Sequence, residues 1–192
     1  MRRIWNLGFR EITSSAKVID TPDDLRGFKM RVPPSPISLA IFRSLGASPV
    51  TINSAEIYTA LQTHVVDGQE NALADIETHK YYQVQKYCTM TDHMWVGYWM
   101  VVNGTFWNSM PESHRKTVAN AFDAQALEER VTNQNLNNTL EATLTQQGLT
   151  FTRPDHGAFQ AAPAKSGIYK TWETQFGPTL WSALEKFTGP LG

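Results

Sequence analysis

Arg31 and Asn71 are the two side chains whose types and settings point to chemistry. Arg31 stands in Phe28-Lys29-Met30-Arg31-Val32-Pro33, a short strand pattern that carries one arginine. A guanidinium at a strand end can grip a carboxylate through two parallel charge-assisted hydrogen bonds, which lysine cannot imitate. The alternative is a surface arginine paired with a neighbouring acid. Asn71 closes Val65-Val66-Asp67-Gly68-Gln69-Glu70-Asn71, where a carboxamide either offers an N–H to an anion or caps the following helix. Together the two outline a small-molecule anion site, with nothing beside them that would transform the ligand. That pairing implies a receptor.

Other chemistries find no support. No Gly-rich phosphate loop, nucleophile elbow or HExxH pattern is present. His64, His79 and His93 lack metal-ligand spacing, and the single cysteine, Cys88, rules out an intrachain disulfide or a Cys-based zinc site. Cys88 reads as an inert, partly buried thiol. Glu56 and Asp67 have the chemistry of an acid–base pair, but nothing in the sequence brings them together. Trp95, Tyr98 and Trp99 form either a pocket wall or the core side of an apolar strand. No cofactor and no metal are expected.

The elements that must position Arg31 and Asn71 follow from pattern and punctuation. Residues 4–13 alternate as a strand. Thr21-Pro22 opens a short helix that Gly27 stops, and strand 28–32 runs out into Pro33-Pro34. An amphipathic helix over 35–45, a strand over 48–52 and a helix over 54–63 follow. Next come a short strand at Val65–Asp67, a helix over 72–81 and an apolar strand region through 88–103. From Glu112 to Gln147 there is neither Pro nor Gly, which predicts one long helix ended by Gly148. A strand over 149–152 and a helical C-terminal region complete the chain. Alternating strands and helices imply an α/β lobe with a mostly parallel sheet.

Bulk properties agree with a globular chain. Its 192 residues suffice for one large domain or two small lobes; 41% hydrophobic content with 18% charged argues against disorder. The net charge of −1, with basic residues interleaved with acids, leaves no footprint for nucleic acid. No stretch approaches the roughly 18 apolar residues of a membrane span, so the chain is not expected to be membrane-embedded. Met1, Arg2 and Arg3 have the basic opening of a signal peptide, but Asn6 and Arg10 interrupt the apolar run after them, and no export signal is expected.

Five ordered segments carry a family resemblance: Thr21-Pro-Asp-Asp-Leu-Arg-Gly-Phe-Lys-Met-Arg-Val-Pro33, Leu45-Gly-Ala-Ser-Pro49, Glu56-Ile-Tyr-Thr-Ala-Leu-Gln62, Val66-Asp-Gly-Gln-Glu-Asn71 and Tyr82-Gln-Val-Gln-Lys-Tyr87. The chain resembles the DctP-type solute receptors of TRAP transporters, tripartite ATP-independent uptake systems. The resemblance implies a periplasmic receptor of two α/β lobes that close over a small organic acid and deliver it to TRAP membrane subunits. It implies that Arg31 salt-bridges the ligand carboxylate, that Asn71 contacts the ligand, and that Arg10 is a second arginine of the site. Ser54 stands where relatives often carry a bulky aromatic, which implies a roomier or more polar wall. Trp95 is expected near the pocket as a replacement for that aromatic.

Family receptors have a signal sequence and an N-terminal lobe ahead of the point where this chain begins. The chain is therefore expected to be a C-terminal portion. Residues 8–100 would form the ligand-binding lobe. Residues 101–192 would supply a long spanning helix, a strand returning to the missing lobe, and C-terminal helices. Two alternatives stay open: an α/β enzyme acting on a carboxylate substrate, and a vestigial or partner-dependent half-receptor without ligand binding.

Overall fold

The computed structural model describes residues 4–191; the basic opening Met1, Arg2 and Arg3 lies outside the described residues. In chain order the elements are β1 (Trp5–Ser14), β2 (Lys29–Val32), α1 (Pro36–Ser44), β3 (Ser48–Thr51), α2 (Ile57–Gln62), β4 (Gly68–Ala72), α3 (Leu73–Thr78), β5 (Tyr87–Thr89), β6 (Trp95–Tyr98), α4 (Gly104–Ser109), α5 (Glu112–Gln146), β7 (Thr150–Thr152), α6 (His156–Ser166), α7 (Ile168–Phe176) and α8 (Pro178–Thr188). Short 3₁₀ turns at Pro22–Leu25, Ser54–Glu56 and Tyr81–Gln83 join them.

One seven-stranded sheet organises the molecule, in the order β3-β2-β4-β1-β5-β7, with β6 paired to the outer part of β1. The α/β class matches the expectation, and the sheet within it is mixed. β2 runs parallel to β3 and β4, and β7 parallel to β5. β1 is antiparallel to β4, β5 and β6. The physical reason is the link from β1 to β2, which holds one 3₁₀ turn and no crossover helix of the kind a parallel return requires.

Each face of the sheet carries its own core. Ile12, Phe28, Met30, Val32, Phe42 of α1 and Phe159 of α6 fill one side. Ile57 and Leu61 of α2, Leu73 and Ile76 of α3, Tyr81, Cys88, and Leu140 and Leu144 of α5 fill the other. α5 has the 35-residue length expected from its Pro- and Gly-free run, and Gly148 follows it with φ +102°, a conformation that favours glycine.

Three boundaries differ from the sequence expectation. The strand expected at Val65–Asp67 lies instead at Gly68–Ala72, and α3 begins only at Leu73. Its polar residues have low strand propensity, but pairing to β1 and β2 on both sides overrides that preference. The apolar region 88–103 splits into β5 and β6 around a loop in which Asp92 takes φ +48°. The strand expected to return to a missing lobe, β7, pairs with β5 of this same sheet, whose free edge would otherwise leave backbone groups unsatisfied.

Exposed apolar side chains remain on β6, on α4, on the link between them and on α5. Tyr98, Trp99, Val101, Phe106, Leu127 and Val131 are all exposed there. Among the described residues no helix is long and apolar enough to cross a membrane.

Candidate functional site

The segment 67–71 forms the middle of the site, and nearly every residue in it is engaged by the fold. Asp67 accepts the Lys29 N–H on Oδ2 at 2.8 Å, which pins β4 to β2. Gly68 lies where a Cβ would come 2.1 Å from the Thr13 carbonyl oxygen and within 3 Å of the Phe28 ring, so no side chain fits. Gln69 donates to Thr13 Oγ1 at 2.9 Å. Glu70 is fully buried and takes both Nε and one terminal nitrogen of Arg10. Asn71 differs: it is buried, yet its side chain makes no hydrogen bond among the described residues.

Strand alternation decides what faces what. Arg10 lies opposite Ala72, and Ile12 opposite Glu70, so Arg10 and Glu70 share the face of the α1 core. Arg31 lies opposite Gln69, and Glu11 opposite Asn71, which puts Arg31 and Asn71 together on the α3–α5 face. The structure thus joins the two residues first singled out.

The two arginines are in different electrostatic states. Arg10 donates to both oxygens of the Glu70 carboxylate and to the Glu70 carbonyl at 2.8 Å. His93 Nε2 lies 3.2 Å from Glu70 and its Nδ1 2.7 Å from Thr91 Oγ1, so a ring donating to Glu70 and accepting from Thr91 satisfies both nitrogens. Burial alone would raise the Glu70 carboxyl, but the hydrogen bonds from His93 and Arg10 prevail and hold it below the ordinary carboxylate range. Arg31 is only 3% exposed, and among the described residues its one hydrogen bond is Nε to the Ile52 carbonyl at 2.9 Å. Among the described residues no carboxylate pairs with it. Burial works against its charge, and Glu70 at a distance only partly supports it. A buried guanidinium with terminal nitrogens unmatched is a costly arrangement unless an anion completes it.

The remaining predicted residues are distributed unevenly. Ser54 is exposed and begins the 3₁₀ turn two residues after Ile52, whose carbonyl holds Arg31, so the backbone itself brings Ser54 to the end of the Arg31 strand. Trp95 lies well apart from Ser54 in the sheet order. It sits on β6 opposite Phe9, its indole N–H bonded to Asn6 at 2.7 Å, while Ser54 follows β3 at the far end of β3-β2-β4-β1. A β-rich aromatic sequence indicated a strand there; only the sheet order shows which edge that strand joins.

Sequence reasoning missed Glu70, His93 and Glu11. Glu11 is buried beneath the 91–93 loop, accepts the Asp92 N–H at 3.1 Å, and has its carboxyl pushed up to about 8, chiefly by burial. Local sequence carries no sign of these partners, because each contact spans twenty or more residues. Among the described residues no three His, Cys, Asp or Glu side chains converge as a metal site requires. A cleft of about 820 Å³ lies between α1, α6 and α7, lined by Phe9, His93, His156, Phe159 and Trp172; neither Arg31, Asn71 nor Ser54 belongs to it.

Comparison with known proteins places this arrangement in context. Residues 3–174 match the family model DctP, described as bacterial extracellular solute-binding protein, family 7. The chain is 31% identical over 180 residues to the sialic acid-binding periplasmic protein SiaP of Vibrio cholerae, covering 94% of this chain and 55% of that protein. It superposes with a TM-score of 0.90 and 30% identity on a TRAP periplasmic solute binding protein from Ralstonia eutropha H16 with bound (S)-2-acetolactate, covering 96% of this chain and 60% of that one. A TRAP periplasmic solute binding protein from Roseobacter denitrificans with bound L-galactonate gives a TM-score of 0.81 at 33% identity, over 87% and 55% of the two chains. The chain spans about half the length of the curated relatives it matches.

Proposed function

The chain belongs to the bacterial extracellular solute-binding protein family 7, a family of solute receptors, and on that premise we propose that it binds a small organic acid for a TRAP uptake system. The observation that carries this reading is Arg31: among the described residues it is a buried cation without an acid partner, on the same face as an asparagine whose side chain makes no hydrogen bond. In this reading the ligand carboxylate meets the terminal nitrogens of Arg31, Asn71 contacts the same ligand, and Ser54 borders it from the end of β3. Arg10 keeps one terminal nitrogen outside its Glu70 pair and holds that edge of the site rigid. The chain performs no chemistry on the acid.

The reading extends to place and partners. The receptor works in the periplasm and hands its ligand to TRAP membrane subunits. Residues 8–100 make the ligand-binding lobe. Within 101–192, the exposed apolar side chains of α4 and α5, Phe106, Leu127 and Val131, pack on the second lobe of a two-lobed receptor, which their exposure supports. Lobe closure would then exclude water from the Arg31–carboxylate pair.

Thermal-shift screening of organic acids tests the function. An acid at about a hundredfold over its dissociation constant adds roughly 2.7 kcal/mol of stability. Wild-type protein should show that shift and Arg31→Ala should not. A ligand that stabilises both equally sinks the carboxylate-clamp reading.

A further inference from the structure

We infer that Asp75 is a ligand-reading group of the Arg31 site, accepting a hydrogen bond from a hydroxyl of the bound acid, so that the receptor selects hydroxy acids over their unsubstituted counterparts. The inference rests on the receptor reading above.

Placement comes first. α3 starts at the residue after Ala72, and Ala72 lies opposite Arg10 on β1. Leu73 and Ile76 of the helix are buried in the same core as Tyr81, on the side of the sheet that holds Arg31 and Asn71. Asp75 lies between them in sequence and is half-buried. Its carboxylate makes no hydrogen bond or ion pair among the described residues; only its backbone carbonyl is used, by His79. Arg31 on β2, Arg10 on β1, Glu70 on β4 and His79 at the end of α3 all act on its charge, and it acts in turn on Tyr81 and Tyr98. One unpartnered, half-buried carboxylate thus stands in the first turn of α3, after Asn71, within electrostatic reach of both arginines.

An acid in the first turn of a helix has an ordinary explanation in the helix dipole. That explanation fits a solvated side chain. Asp75 is instead pushed above the ordinary range by burial, against the pull of His79, Arg10 and Arg31. The Tyr81 hydroxyl, on which Asp75 acts, is buried with no hydrogen-bond partner among the described residues.

The chemistry of the missing group follows. A ligand carboxylate set directly against Asp75, away from Arg31, would be repelled by it. A plain methylene would leave it desolvated and unpaired, which costs more than a neutral contact. A hydroxyl donor near the carboxylate held by Arg31 satisfies it. Sites built to hydrogen-bond a substrate hydroxyl reject the analogue lacking it far more strongly than apolar pockets discriminate size.

Calorimetric titration of the whole chain with succinate, malate and aspartate provides the test, since these share one carbon skeleton and differ at a single carbon. Malate should bind tighter than succinate by about tenfold or more. Asp75→Ala should cut that preference to within about twofold without changing the circular dichroism spectrum, and Asp75→Asn, which keeps an acceptor, should retain part of it. Succinate binding as tightly as malate overturns the inference, as does an unchanged ratio in Asp75→Ala. Aspartate as the tightest of the three would assign an ammonium group instead and also overturn it. Arg31→Ala separates the two readings: binding that survives this change removes the carboxylate clamp, whatever Asp75 does. Binding of none of the three acids to wild type overturns both.

Discussion

Glu70 lies one residue along β4 from the position opposite Arg31, yet its carboxylate belongs to Arg10 on the other face of the sheet. Because side chains alternate across a strand, Gln69 faces Arg31 and Glu70 cannot. One arginine is neutralised within the fold, and the other has no carboxylate partner among the described residues.

Replacing Arg31 with Met should leave the ligand-free protein at least as stable as wild type, because an unpaired buried charge is removed. Affinity for any carboxylate bound by wild type should fall by roughly 2–5 kcal/mol. Urea unfolding with and without the acid measures both quantities. Marked destabilisation of the free protein would show that Arg31 serves the fold.

Glu70→Gln has the opposite signature. It strands the Arg10 guanidinium in a buried site, and the expected loss is about 3–5 kcal/mol. Adding Arg10→Met to that variant should recover most of the loss. A double-mutant cycle by denaturant unfolding reads the coupling directly, and strict additivity would contradict the pairing.

Asn71→Ala should separate binding from folding. Its side chain makes no hydrogen bond among the described residues, so stability should change by less than about 1 kcal/mol. Ligand affinity should drop by about 1–3 kcal/mol if the amide serves the ligand. Unchanged affinity would return Asn71 to a purely structural role.

Gly68→Ala should be severe for a residue so small. The added Cβ would meet the Thr13 carbonyl, a backbone atom that cannot rotate away, and β4 would have to shift. Overpacking of this kind costs about 1–3 kcal/mol or more. A melting temperature within error of wild type would contradict the close strand approach.

Glu11 predicts a pH dependence. Its carboxyl rises from the usual 4.5 to about 8 in the folded protein, so the folded state binds more protons than the unfolded chain between those values. Its contribution is therefore fully present below the unfolded pKa and is lost as pH rises through about 8, with a slope of at most about 1.4 kcal/mol per pH unit. Glu11→Gln should flatten that profile in unfolding measured from pH 5 to pH 9. Glu70 works in reverse: its carboxyl is lowered, so its contribution is present above the ordinary carboxylate range and fades only in acid.

The sequence by itself determined the α/β class, the long helix and the ordered motifs of a solute-receptor family, and it singled out Arg31 and Asn71 as a pair. These are legible because propensity, punctuation and spacing act over a few residues. Tertiary structure alone decided the rest. It showed that β1 runs antiparallel through the sheet, that β7 pairs with β5 within it, and that Trp95 on β6 lies four strand places from β3, which Ser54 follows. It also assigned Glu70 to Arg10 and, among the described residues, left Arg31 and the Asp75 carboxylate without an ion-pair partner. Charge compensation depends on which strands become neighbours and which way each side chain turns, and contacts sixty residues apart leave no mark on local sequence.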